Sequence, residues 1–329
     1  MKSSPAFTAV MLCLSLCSLL SVAVALCLGS VPLHPRDLWT ALNGNESPLA
    51  EAVLFNLRLP RALTSFALGG LLSLAGIYMQ VLLRNPLADP YIMGTSGGAA
   101  VAALLAMLAG MNELAVQGAA ACGAFAAILL VFALAHAEGS WSPIRLLLTG
   151  VVVAAGAGAV VSLLLAVGDE AKLRGMLFWL MGDIANYSRV MPLWSLLLAA
   201  GLLSGLLARH LNILARGELQ AQTLGLNIKR MRIGLFAASA LLTAAAVTTA
   251  GSIGFVGLIT PHLARLLVGA DHRRLIPTAM MLGGSLLVLA DTAARTLFAP
   301  RQLPVGALTA LIGVPVFLAL MFRNSTQSR

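Results

Sequence analysis

Apolar residues in this chain arrive in blocks about as long as a bilayer is thick, and that feature constrains its fold more than any other. Crossing about 30 Å of hydrocarbon at 1.5 Å per residue takes roughly 20 apolar residues, and every backbone N–H and C=O there must bond within its own segment. The segments are therefore helices. Ten qualify, near residues 6–28, 61–83, 92–108, 114–135, 144–167, 191–207, 231–249, 253–268, 275–298 and 305–322. The expected fold class is all-α: a polytopic membrane protein with about ten transmembrane helices, in one domain spanning residues 1–329.

Composition agrees. Hydrophobic residues make up 59% of the chain and charged residues 10%, against about 25% charged in a soluble domain. A formal charge of +9 raises the question of nucleic acid, but that partner needs clustered basic residues interleaved with aromatic platforms. Here the basic residues sit between apolar blocks, so charge asymmetry across a membrane accounts for the excess, and lipid, not nucleic acid, is the expected neighbour. With the N-terminus inside, the cytoplasmic connections receive the larger share of the basic residues, among them Arg84, Arg145, Arg216, Lys229, Arg230, Arg232, Arg273 and Arg274. Both termini are then cytoplasmic.

Cys13, Cys17, Cys27 and Cys122 all lie in apolar runs, without zinc or disulfide spacing, and read as small apolar residues; no metal site is expected. The run over residues 6–28 exceeds the roughly 7–15 apolar residues of a signal peptide and reads as a retained first helix. Small residues recur at helix-packing spacing: Gly69, Ser73 and Gly76; Gly94 and Gly98; Gly156, Gly158 and Ser162; Gly283 and Gly284. In lipid such faces serve close helix packing, or else they line a path. Spans two to five and seven to ten enter from opposite sides, so an inverted repeat is a further expectation.

Four ordered motifs punctuate these spans. Arg58-Leu59-Pro60-Arg61 stands at the outer mouth of the second, and Arg84-Asn85-Pro86-Leu87-Ala88-Asp89-Pro90 turns at its inner end. Gly254-Phe255-Val256-Gly257-Leu258-Ile259-Thr260-Pro261-His262 interrupts the eighth. Leu303-Pro304-Val305-Gly306 precedes the tenth, which contains Gly313-Val314-Pro315-Val316-Phe317. Over residues 57–322 the chain resembles the permease subunits of the iron-siderophore, haem and vitamin B12 class of ABC importers. The resemblance implies a homodimer with a passage along its interface, two nucleotide-binding ATPase subunits and an external substrate-binding protein, in the bacterial cytoplasmic membrane.

The connection over residues 211–228 contains Arg216, Gly217, Glu218, Ala221, Leu224 and Gly225, a polar segment whose last glycine can end a short helix. It resembles the family's coupling helices, which dock in the ATPase; the plain alternative is a solvated loop. The only lysines are Lys2, Lys172 and Lys229, none in a phosphate-cradling loop, so ATP and Mg belong to the partner and no cofactor is expected on this chain.

At the outer face, Arg58, Arg61, Arg295 and Arg301 resemble the family's docking arginines for the binding protein, with anchoring to lipid phosphate as the alternative. Asp291 is the clearest carboxylate within a span. Arg295 lies one turn away, so structural neutralisation by this i, i+4 pair stands beside a transport role. His262, after Pro261, either bonds a neighbouring helix or faces a cavity where the proline breaks the helix. Asn85 and Pro86 are structural or pathway candidates. Lys172, Arg174 and Arg189 surround Phe178 and Trp179 in what reads as a short helix at the outer gate, or as interfacial anchoring.

A secondary transporter would need several interior carboxylates, and Asp291 is one. An enzyme would need converging groups, whereas His34, His136, His210, His262 and His272 are widely separated. The reading is a transport permease for an iron chelate, haem or ferric siderophore, with cobalamin as the alternative cargo.

Overall fold

The structure is a computed structural model that describes residues 5–29, 51–136, 143–184 and 190–327. Among the described residues there is no strand. The helices are α1 (Pro5–Cys27), α2 (Leu59–Leu83), α3 (Thr95–Leu108), α4 (Glu113–His136), α5 (Pro143–Val167), α6 (Glu170–Met181), α7 (Val190–Ala215), α8 (Glu218–Thr223), α9 (Ile228–Ala250), α10 (Val256–Val268), α11 (His272–Thr296) and α12 (Val305–Gln327). Seven are long and apolar enough to cross a membrane, and α3, α10 and α12 are shorter apolar helices; together they coincide with the ten expected spans. The two remaining short helices, α6 and α8, lie in connections.

The core is built around α2, whose Leu68, Leu71, Leu72 and Leu74 are fully buried. Small residues let the neighbours reach its backbone. A Cβ on Gly76 would fall 1.8 Å from the Gly257 carbonyl oxygen of α10, and one on Gly69 would fall 2.1 Å from that of Gly283 on α11. Polar side chains then fasten the contacts: Ser73 Oγ lies 2.6 Å from Thr260 Oγ1, Ser239 of α9 donates to the Ala75 carbonyl at 3.0 Å, and Trp194 of α7 donates to that of Leu63 at 3.0 Å. Each bond removes an unsatisfied group from a medium with no water to replace it.

The rim is different. On α5, Val152 and Leu163 are exposed, and Gly156 and Gly158 meet nothing within 4 Å of an added Cβ. These two glycines therefore do not serve packing within the subunit, which corrects that part of the small-residue expectation. Such an apolar surface is stable only against lipid or another protein.

Helix ends sort into two sets. The Gln80 end of α2, the Asn212 end of α7, the Arg265 end of α10 and the starts of α9 and α11 lie together: Arg265 donates to Gln80 at 3.1 Å, and Asn212 bonds Asp271 at 2.7 Å. The end of α1 joins the start of α2 and the end of α11 opposite, and Val305 of α12 donates to the Gly182 carbonyl at 3.0 Å on that same side. The alternation expected of successive crossings is thus present for α1, α2, α7 and α9 to α12.

Two spans are not full-length helices. At 1.5 Å per residue α3 and α10 are each about 20 Å long, short of a 30 Å core. Gly94 and Phe255, both left-handed at φ +72° and +69°, start them late. The non-helical stretch 251–255 before α10 meets the short 3-10 turn Pro90–Met93 and the first turn of α3, where Ile253 N donates to Tyr91 Oη and Ser96 Oγ to Ser252 Oγ, both at 3.1 Å. Irregular backbone at that depth is tolerated because protein surrounds it.

Candidate functional site

The end of the bundle holding Arg84 carries α8. Gly217, at φ +126°, lets the chain turn out of α7, and Gly225, at φ +79°, ends the helix, with Leu226 N bonding the Ala221 carbonyl and Gly225 N that of Gln222. This is the paired-bond termination that a left-handed glycine permits. Ala221 is fully buried, and Glu218 forms ion pairs with Arg232 of α9 and, at 3.8 Å, with Arg84 at the end of α2. Held on these points, α8 exposes Leu219 (78%) and Leu224 (66%), with Arg216 exposed beside it. A short helix pinned at these points, with leucines facing outward, is an ordered element rather than a slack loop.

The opposite end gathers Arg58, Arg61, Asp291 and Arg295, all buried. Asp291 takes a two-pronged contact from Arg61, 2.7 and 2.9 Å long, and an ion pair from Arg295 at 3.3 Å. Arg58 donates to the Leu26 and Cys27 carbonyls at 2.6 and 3.0 Å, and Arg295 to that of Ala25 at 3.3 Å, capping carbonyls at the end of α1 that lack partners in their own helix. One expectation is corrected: Arg58, Arg61 and Arg295 are not open to solvent but direct donors to partners inside the subunit, leaving Arg301 as the exposed member of the quartet. The expected i, i+4 pair of Asp291 with Arg295 is present, and Arg61 on another helix adds the shorter contacts.

Next to this cluster is a cavity of about 470 Å³ between α3, α4, α6 and the end of α9. Lys172, Phe178 and Trp179 line it with Met107, Met111, Glu113, Gln117, Asp183 and Thr248. Lys172 Nζ donates to the Leu108 carbonyl at 2.6 Å, which ties α6 to the end of α3. The exposed Arg174 instead stacks its guanidinium over Phe178, 5.7 Å from the ring centroid. Arg189 and His34 lie outside the described residues. The expected short helix is therefore α6, and three of its four candidate residues face one cavity.

Pro261 does not break its helix, because α10 runs through it and the interruption comes earlier, at residues 251–255. His262 is half-buried, and both ring nitrogens are shielded without a hydrogen-bond partner in the subunit, so the bond to a neighbouring helix is not found. Asn85 and Pro86 are exposed in the turn after α2, where Asn85 Oδ1 accepts from Leu87 N at 2.9 Å.

Sequence reading missed Glu113, Gln117, Asp183 and Thr248 on the cavity, and Arg84 and Arg232 as partners of Glu218. For the latter a signal existed: Glu218 is the lone carboxylate between residues 211 and 232, a stretch otherwise charged by Arg216, Lys229, Arg230 and Arg232.

Among the described residues ten apolar helices, the buried α2 at their centre, with a pinned helix at one end and a lined cavity at the other, define a polytopic membrane transport subunit. The chain matches the family model of the FecCD transport family over residues 16–323 and belongs to that family. It is 40% identical over 307 residues to the hemin transport system permease protein HmuU of Yersinia pestis, covering 91% of each chain. It is 36% identical to the vitamin B12 import system permease protein BtuC of Escherichia coli O127:H6, covering 95% of this chain and 94% of the relative. Its fold superposes with a TM-score of 0.83 and 32% identity on a solved inward-facing metal-chelate type ABC transporter, covering 96% and 99% of the two chains. The protein is a permease subunit of an ABC importer, not the ATPase.

Proposed function

We propose that this permease moves an iron chelate, haem or a ferric siderophore, across the bacterial cytoplasmic membrane, powered by ATP bound with Mg on two separate nucleotide-binding subunits. An external substrate-binding protein delivers the cargo, and two copies of this chain form the passage between them. The α8 end faces the cytoplasm, which also places both termini there.

The observation that carries this reading is the pinning of α8. Glu218 joins it to Arg84 on α2 and Arg232 on α9, so a displacement of α8 by a moving ATPase is passed to the central helix of the bundle. A short rigid element fixed to two spans converts movement at a groove into movement of those spans. The exposed face of α5, with its unpacked Gly156 and Gly158, supports a second copy or the passage itself on that side. The exposed Arg301 serves the binding protein, since charge complementarity across a docking surface steers encounter.

The choice of cargo rests on the similarity to the hemin permease, and cobalamin is the alternative supported by the vitamin B12 relative. The test is ATP hydrolysis by the purified complex with its binding protein, titrated with haem, ferric siderophores and cobalamin. Stimulation by an iron chelate is expected; stimulation by cobalamin alone would replace this reading with the alternative.

A further inference from the structure

A second cavity, again of about 470 Å³, runs between α4 and α9, lined by Ala121, Phe125, Ile128, Ala240, Leu241 and Ala244 among others. Its walls are apolar apart from Thr248, and Thr248 also lines the cavity described above. The two cavities therefore adjoin at Thr248, an apolar one and a polar one end to end. From Ala237 to Thr248 the slot follows α9 for about 17 Å at 1.5 Å per residue, close to the ~15 Å depth of one leaflet of a 30 Å core. Phe125 and Leu241 are exposed on its walls, as expected of a trough open to the bilayer.

The wider end carries both signs of charge. Lys172 gives one donor to the Leu108 carbonyl and has Asp169 at 4.0 Å, so its ammonium retains bonding capacity. Glu113, exposed in the first turn of α4, is held only by a 3.4 Å bond from Gln117. A purely anionic head group would meet Lys172 but also Glu113 and Asp183. A zwitterion with a primary amine satisfies both kinds of partner, phosphate at Lys172 and ammonium at Glu113. We infer that the α4–α9 slot holds one phospholipid with an amine-bearing zwitterionic head group, one of its two acyl chains along α9 and its head in the cavity under α6.

The test is native mass spectrometry of the full-length protein extracted from vesicles of equal parts phosphatidylethanolamine and phosphatidylglycerol, a readout independent of transport. One retained phospholipid per subunit is expected, enriched about tenfold in the amine-headed species, as one ion contact of about 1.4 kcal/mol provides. Glu113→Gln keeps the lipid and brings the enrichment to about one, since its ion contact is lost. Ala244→Phe, which fills the slot, removes the lipid; should that variant fail to fold, Ala240→Leu is measured in its place. No retained lipid in the wild type, unchanged retention in the filled variant, or a filled variant that loses its second protein copy instead of its lipid would each overturn the inference.

Discussion

Arg61 and Asp291, 230 positions apart in sequence, form a two-pronged ion pair with contacts of 2.7 and 2.9 Å, both side chains buried. Through it the start of α2 and the end of α11 are locked, while Arg58 and Arg295 tie the same point to α1. Breaking a buried pair costs more than forming it contributes, because the remaining charge is left without a partner.

Asp291→Asn is therefore expected to destabilise the subunit by about 3–5 kcal/mol, read as a lowered unfolding midpoint in detergent. Unchanged stability would mean the pair is incidental. Arg61→Gln should lower the same midpoint, whereas Arg301→Glu should leave it in place and slow association with the binding protein, with the salt dependence of an exposed charge.

Gly76→Ala places a methyl group against the Gly257 carbonyl and should cost about 1–3 kcal/mol by overpacking. Gly158→Ala, with open space around it in the subunit, should leave monomer stability unchanged. A defect in the dimer or in transport from Gly158→Ala would assign α5 to the passage or to the second copy. The measurement is thermal unfolding beside size analysis in the same detergent.

Glu218→Gln releases α8 from Arg84 and Arg232. Transport per ATP hydrolysed is expected to fall about tenfold, the effect of losing about 1.4 kcal/mol of coupling, with expression and unfolding midpoint retained. Charge exchange, Glu218→Arg with Arg232→Glu, should recover part of the loss. An unchanged transport-to-hydrolysis ratio would remove Glu218 from the coupling route.

Asp89, in the connection before α3, is pushed up to about 6 by desolvation, opposed by the bond from Tyr91 N. Its unfolded carboxyl titrates near 4, so between about pH 4 and 6 the folded state holds more protons than the unfolded one, and stability falls as pH rises through that window. Unfolding midpoints from pH 4.5 to 7 should show this decline in the wild type and lack its Asp89 component in Asp89→Asn.

The span count was readable because hydropathy is local, and the end of α8 because Gly225 carries its own backbone preference. Sequence points to Pro261 as the break in the eighth span, whereas the chain is non-helical at residues 251–255, because a proline announces itself in sequence while a left-handed Phe255 does not. Arg61 reads as a surface residue for a related reason. An arginine beside a span boundary looks exposed until a carboxylate 230 residues away is brought to it, and no local pattern reports that meeting. The short helix after α5 was foreseen, but its cavity partners Glu113 and Thr248 come from helices whose packing order hydropathy leaves open.

The central claim is that the chain is a conduit whose work is supplied by ATP on another polypeptide. The most direct measurement is uptake of a labelled iron chelate into proteoliposomes holding the complex, with a hydrolysis-deficient ATPase variant and a dissipated proton gradient as the two controls. The account predicts that uptake stops with the ATPase variant and survives loss of the gradient. Uptake that persists with the inactive ATPase and collapses with the gradient would contradict it.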